Sequence, residues 1–248
     1  MAAGRLFLIP CSLSDDTPPQ DVVPAAVMDR IRTLDSFVVE NAKSARAFLR
    51  ACGHPRPLRE IAMAELNEHT PNAAISPLLA PLRAGKDVGL LSEAGAPAVA
   101  DPGAQLVAAA HSEGIRVVPL AGPSSIVLAL MASGLEGQRF RFLGYLPPQS
   151  AQRRAALVEL ERQSAANDET QVFIETPYRN DALLGDVVAV LHEGTRLAVA
   201  ADLTSTREWV RLDRIAEWRS KPTLIGKRPA VFLVLARART KRQGAGSL

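Results

Sequence analysis

Cysteine, histidine and aromatic residues are scarce in this chain. Its 248 residues include two cysteines, Cys11 and Cys52, which excludes a disulfide-built scaffold and a zinc site made from paired Cys spacings. The four histidines, His54, His69, His111 and His192, share no ligand spacing, so no metal is expected. Aromatic residues make up 4% of the chain, too few for a surface that reads splayed bases by stacking, while backbone or shape readout stays open. Apolar runs such as IVLALMA (126–132) are too short to span a bilayer. The start, MAAGRLFLIP, has neither the longer apolar region nor the cleavage site of a secretory signal. A soluble, cytoplasmic protein with no membrane partner is expected. The net charge of +3 permits a nucleic-acid partner without arguing for one. GxGxxG and a glycine-rich loop ending in Lys-Ser/Thr are both missing, which makes dinucleotides and nucleoside triphosphates poor candidates.

What is present is an alternation. Hydrophobic residues form 47% of the chain, enough for a real core. Strand-length apolar runs occur at 5–10, 36–40, 87–92, 115–119, 140–145, 170–175, 195–202, 208–212 and 229–236. Several are near-continuous Val/Leu/Ile, as strands covered on both faces are. Helical patterns fill the gaps at 22–33, 42–53, 72–84, 103–113, 124–133, 151–165 and 179–192, several closed by glycine. Strand and helix in turn predict an α/β fold, mostly parallel in the first half. TRLAVAAD (195–202) and EWVRL (208–212) flank a short turn, which predicts an antiparallel pair and a mixed sheet in the second half. The Pro/Gly stretch PLAGPSS (119–125) marks the boundary. The expected organisation is an N-terminal α/β domain (1–121), a C-terminal α/β domain (122–238) and a basic polar tail (239–248).

Five constellations can carry chemistry. LLSEAGAPAVADPG (90–103) brings a strand to its carboxyl end, where open α/β sheets bind ligands, and then offers almost bare backbone. Gly95 can take angles closed to other residues, and Pro97 stops the ladder. Asp101 reads as a cap of the following helix, with Pro102 in its first turn, or as a carboxylate of the site. In PLAGPSSIVLALMASG (119–134), Gly122 and Pro123 force a bend, and Ser124 or Ser125 can cap a helix or face a ligand. IETPYRND (174–181) places Glu175, Tyr178 and Arg179 at a strand end. VVENAKSAR (38–46) and AELNEHT (64–70) supply Glu40, Lys43, Arg46, Asn67, Glu68 and His69, which can activate a hydroxyl or steer RNA. The tail residues Arg237, Arg239, Lys241 and Arg242 can grip phosphates or lie solvated.

Taken together, LLSEAGAPAVADPGAQLV, GIRVVPLAGPSSIVLALMASGL, RFRFLGYLP, VFIETPYRNDALLGDVVAVL and ADLTSTRE resemble the tetrapyrrole-methylase superfamily of S-adenosylmethionine-dependent methyltransferases. Within it the chain is most similar to the 16S rRNA 2′-O-ribose methyltransferase branch and its short relatives. The resemblance runs in order from about Leu6 to Leu235. It implies two α/β domains with the cofactor cleft between them, and a homodimer. It implies that S-adenosylmethionine is held mostly by backbone and small residues: Pro10 at the first strand end, Gly95, Ala96 and Val99 along one side, Ser124 and Ser125 at the bend, and Thr176, Leu203, Pro229 and Ala230 from the second domain. Two stretches depart from the rRNA branch. PCSLSDD (10–16) stands where that branch has PTPIGN, and ENAKSAR stands for EDTR, keeping Glu40 and losing the aspartate. Both loops would meet the acceptor.

A sulfonium methyl donor is already activated, so the protein must mainly align an acceptor lone pair behind the methyl carbon. For a ribose hydroxyl, a base must take the proton, and Glu40, His69 and Asp101 are the candidates. Ribosomal RNA is the expected acceptor. A tetrapyrrole or other small molecule, or a cofactor-binding module without catalysis, are the alternatives.

Overall fold

The computed structural model describes residues 3–237, so the expected tail at 239–248, with Arg239, Lys241 and Arg242, lies outside the described residues. The chain divides into two compact units: Met1–Ser124 with Thr204–Thr206, and Ser125–Leu203 with the chain from Arg207 on.

The first unit holds β1 (Arg5–Ile9), β2 (Ser36–Val39), β3 (Ala62–Glu65), β4 (Val88–Leu91) and β5 (Arg116–Pro119). They form one sheet in the order β3-β2-β4-β1-β5, parallel throughout. The apolar runs follow from this topology, because helices cover both faces and leave no polar side. β1 shows the two-residue period: Phe7 and Ile9 enter one core with Met28, Ile31 and Leu49, while Leu6 enters the other with Leu79, Leu82 and Leu106. Asn41 caps the helix Ala42–Ala51 by accepting from the Lys43 and Ser44 amides.

The second unit holds β6 (Phe140–Tyr145), β7 (Thr170–Ile174), β8 (Arg196–Ala201), β9 (Trp209–Arg214) and β10 (Ala230–Leu235), in the order β6-β7-β10-β8-β9. β6 and β7 are parallel; the other pairs are antiparallel, including β8 with β9. Its core is built on the stacked rings of Phe173 and Phe232, 5.7 Å apart, and on Trp218, whose indole N–H donates to the Leu197 carbonyl at 3.1 Å. Helices Ser150–Asn167 and Asn180–Val190 are tied by a buried ion pair, Arg153 with Asp186. Burial alone would raise the Asp186 pKa, but Arg154, Arg153 and Ser150 outweigh it and hold the group ionised.

The sequence pattern misses β3 and the helix Ile215–Ser220, and it overextends two helices. The segment expected at 22–33 is two helices, Pro19–Val22 and Ala25–Arg32, parted at Pro24, whose missing N–H cannot continue a helix. The segment at 72–84 likewise breaks into Ile75–Leu78 and Ala80–Arg83. Among the described residues no helix is long and apolar enough to cross a membrane.

Candidate active site

In the first unit the carboxyl ends of β1, β2 and β4 converge, and the loops leaving them meet. β1 runs on into Pro10 and Cys11; β4 runs on into Ser92 and the 93–103 loop. That loop turns back on the chain beyond β1 in a two-bond antiparallel bridge. The Cys11 amide donates to the Gly95 carbonyl at 2.9 Å, and the Gly95 amide donates to the Cys11 carbonyl at 3.1 Å. Gly95 sits at φ +69°, and a Cβ there would lie 3.1 Å from the Leu13 side chain and 3.8 Å from the Pro123 carbonyl oxygen. Ala98 and Ala100 also have positive φ, 66° and 63°. For an alanine this costs about 1–2 kcal/mol. Strain of this kind collects at ligand sites, where the surroundings over-determine the backbone. Ala96 is half-buried, Pro97 is buried, and Val99 is 49% exposed.

The other wall of this end is the stretch after β5. Leu120 extends the ladder by donating to the Leu8 carbonyl at 3.0 Å. Gly122 then packs on Pro10 so closely that a Cβ would lie 2.5 Å from the proline ring. Pro10 and Gly95 thus lie beside the bend that leads to Ser124, while Ala96 and Val99 follow in the loop, joined by the Val99 amide donating to the Ala96 carbonyl at 3.3 Å. Ser125 opens the helix Ser125–Ser133 of the second unit.

Two carboxylates belong to this end, Glu40 after β2 and Asp101 within the loop. Glu40 follows β2; its amide donates to the Leu91 carbonyl at 3.1 Å, and its Oε2 accepts the Glu93 amide at 3.0 Å. Asp101 is pushed up to about 6 by burial first, then by the charge of Glu40, against a hydrogen bond with Ser92. Glu40 is raised as well, by burial and by the nearby Glu93 and Glu68, with the Glu93 amide opposing. Asp101 does not cap the following helix. That helix starts at Ala104 behind Gly103, which serves as N-cap at φ +128° without a side-chain bond, and Pro102 stays outside it. Ser92, whose hydroxyl donates to the Ala94 carbonyl at 3.3 Å, lies close enough to oppose the rise in the Asp101 pKa. His69 stands apart from the pair. Its side chain is 85% exposed, and its ring faces Glu68 at 3.5 Å. The buried Cys11 thiol, 3.3 Å from the Ser92 carbonyl, is held neutral by burial.

In the second unit the register gathers Thr176, Leu203, Pro229 and Ala230 at one end of the mixed sheet. Ile174 faces Val231, and Ala201 faces Ala230. The Asp202 amide donates to the Pro229 carbonyl at 3.0 Å, and its buried carboxylate holds Arg228 at 2.7 Å. Leu203 is buried and lies between Asp202 (φ +49°) and Thr204 (φ +69°). Thr176 is fixed by its neighbour: Glu175 Oε1 accepts from the Thr176 amide (2.7 Å), the Thr176 hydroxyl (3.2 Å) and the Arg179 guanidinium (2.7 and 3.0 Å). The second Glu175 oxygen is buried without a hydrogen-bond partner. Sequence reading put Glu175 at a strand end but gave it no role; an acid just before a strand-breaking proline was the available signal.

Solved structures share this architecture. The chain matches the methyltransferase CobJ with a TM-score of 0.62 over 98% of both chains, at 16% identity. It matches the uroporphyrin-III-C-methyltransferase of Thermus thermophilus at 0.52, covering 94% of this chain and 92% of that one, at 18% identity. The fold is therefore that of a two-domain α/β methyltransferase. The model of the tetrapyrrole (corrin/porphyrin) methylases matches residues 21–218, and the chain belongs to that family. It is similar to proteins named ribosomal RNA small subunit methyltransferase I. The one from Escherichia coli O157:H7 is 33% identical over 84% of this chain and 68% of its own length. Those of Pseudomonas aeruginosa (33%; 88% and 72%) and Mycobacterium bovis (34%; 88% and 74%) are alike. The chain is a methyltransferase, and it spans about two thirds to three quarters of these three relatives.

Proposed function

We propose that this enzyme takes its methyl group from S-adenosylmethionine and transfers it to a ribose 2′-hydroxyl of small-subunit ribosomal RNA. The observation that carries the reading is the strained, side-chain-poor 93–103 loop, which bears the half-buried Asp101 carboxylate of raised pKa. The residues suit the donor: a side chain at Gly95 would crowd Leu13 at 3.1 Å from a left-handed backbone, and its alanine neighbours carry little side chain between their peptide groups and a polar ligand. Pro10, Gly95, Ala96, Val99 and Ser124 in the first unit hold it, with Ser125, Thr176, Leu203, Pro229 and Ala230 from the second. Once bound, S-adenosylmethionine supplies a methyl group activated by its sulfonium.

The chain's own work is to orient the acceptor and take its proton. Asp101 is ionised above about pH 6 and accepts the hydroxyl proton. Glu40 tunes that affinity through its charge and stands as the alternative acceptor, with His69 on the outer rim. The names of the rRNA-modifying relatives support the RNA acceptor, and the carboxylates disfavour a polyacidic tetrapyrrole. A cytoplasmic homodimer belongs to the same reading; the apolar Val127 and Met131, 50% and 74% exposed on the helix Ser125–Ser133, support a partner surface.

Calorimetric titration with S-adenosylmethionine and S-adenosylhomocysteine tests the donor. Micromolar binding is expected, and Gly95→Trp should abolish it. No binding by the folded wild-type protein overturns the assignment. Tritiated-methyl transfer to small ribosomal subunits, with tetrapyrroles as the competing acceptors, then tests the substrate.

A further inference from the structure

The other end of the mixed sheet gathers arginines. β8 begins at Arg196 and β9 ends at Arg214, and the antiparallel register sets these two directly opposite each other. Like charges in that position weaken a ladder. β10 ends at Leu235, which faces Arg196, and Arg237 follows two residues on. Arg214 and Arg237 are exposed and Arg196 is half-buried. Burial, then Arg237, then Arg214 lower the Arg196 pKa, as crowded cations do. Asp168 acts against them, but it is already paired with Arg139 at 2.8 Å. Among the described residues none of the three arginines has a carboxylate within salt-bridge distance.

The geometry is a row. β10, β8 and β9 are adjacent, so the three cations cross the sheet edge over roughly 10 Å at the usual strand spacing. A row matches a linear polyanion better than a single small anion, for which the donors would have to converge. β8 has six residues, so the row stands about 17 Å from the end that bears Thr176, Leu203 and Ala230. A ligand held there does not react; it is gripped at a distance from the reacting atoms.

We propose that Arg196, Arg214 and Arg237 form a docking row for the phosphate backbone of the RNA acceptor, one strand length from the methyl-transfer end of the second unit. This rests on the RNA reading above. Phosphate contacts set register and orientation without reading sequence, which suits a chain poor in aromatic residues. They also suit a large substrate, since a small molecule at the donor end would never reach the row.

The test is fluorescence anisotropy of a labelled RNA oligonucleotide, and pelleting with small ribosomal subunits, across a salt series. The Arg214→Gln/Arg237→Gln variant is compared with wild type and with Arg50→Gln/Arg59→Gln, which removes two exposed charges elsewhere. The first variant should bind at least about tenfold more weakly at low salt, and its log-log salt slope should fall by about 1.5–2. The control should keep the wild-type slope. Binding of S-adenosylmethionine and kcat should be unchanged, with KM for subunits raised. Since a repulsive pair is relieved, the melting temperature should not drop. Wild-type-like RNA affinity and slope in the double variant overturns the row while leaving the RNA reading intact. Failure of the wild-type protein to bind either RNA probe overturns the RNA reading and the row with it. Arginine-dependent binding to anionic lipid vesicles in place of RNA also overturns the row.

Discussion

Replacing Asp101 with asparagine should make the protein more stable at pH 8 and nearly inactive, and both effects have one cause. Burial, and next the charge of Glu40, raise this carboxyl from its ordinary 3.8 to about 6. Between those two values the native state holds a proton that the unfolded chain has released. Native stability therefore falls as pH rises through that window, and the loss is complete above about pH 6. Two pKa units at about 1.4 kcal/mol each amount to about 3 kcal/mol. The site is only half-buried, so solvent screening brings the expected effect to about 1–2 kcal/mol. The asparagine side chain carries no charge at any pH. The variant should exceed wild type by that amount at pH 8 and converge with it near pH 4. Both tryptophans, Trp209 and Trp218, belong to the second unit, so tryptophan fluorescence would miss the event. Urea unfolding should be followed by far-ultraviolet circular dichroism. Methyl transfer should drop by about 10²-fold or more if Asp101 takes the proton. A variant less stable than wild type at pH 8, or with the same advantage at pH 4 and pH 8, would refute the raised pKa. A variant with wild-type turnover would remove Asp101 as the base.

Two other perturbations are as direct. Glu40→Gln removes the second cause of the Asp101 shift, so the acid limb of the rate profile should move below pH 6; a single-turnover profile unchanged in height and midpoint would take Glu40 out of the site. Arg179→Met strips the buried Glu175 carboxylate of its cation and should cost the second unit about 3 kcal/mol, read by tryptophan fluorescence in urea; Glu175→Gln in the same chain should restore much of it, and no loss in the single variant would show the pair to be dispensable.

The strands were legible wherever they are buried. Val88–Leu91 and Ala230–Leu235 are apolar because both faces of each are covered, and that requirement is written in composition. β3 was not legible. Its AMAE has no β-branched or aromatic residue, and it becomes a strand only by pairing with β2 at the sheet edge. The loop at 93–103 could be read as bare, because Gly95, Pro97 and the alanines state it locally. The fate of Asp101 could not be read there. Whether it caps a helix or joins a carboxylate pair is decided by the left-handed Gly103 and by Glu40, sixty-one positions away in sequence. Glu175 escaped for the same reason. A strand-end acid looks solvated until the fold buries it against Thr176 and Arg179.

The donor site proposed above would store its specificity in backbone angles. Mutational surveys that trim side chains are blind to it: Ala94, Ala96, Ala98 and Ala100 are already what such a scan would install. What would hold such a site is the Cys11–Gly95 bridge and the angles it enforces, more than the side chains around it. For this part of the enzyme the informative survey runs the other way, adding bulk one position at a time along the loop until the backbone can no longer close.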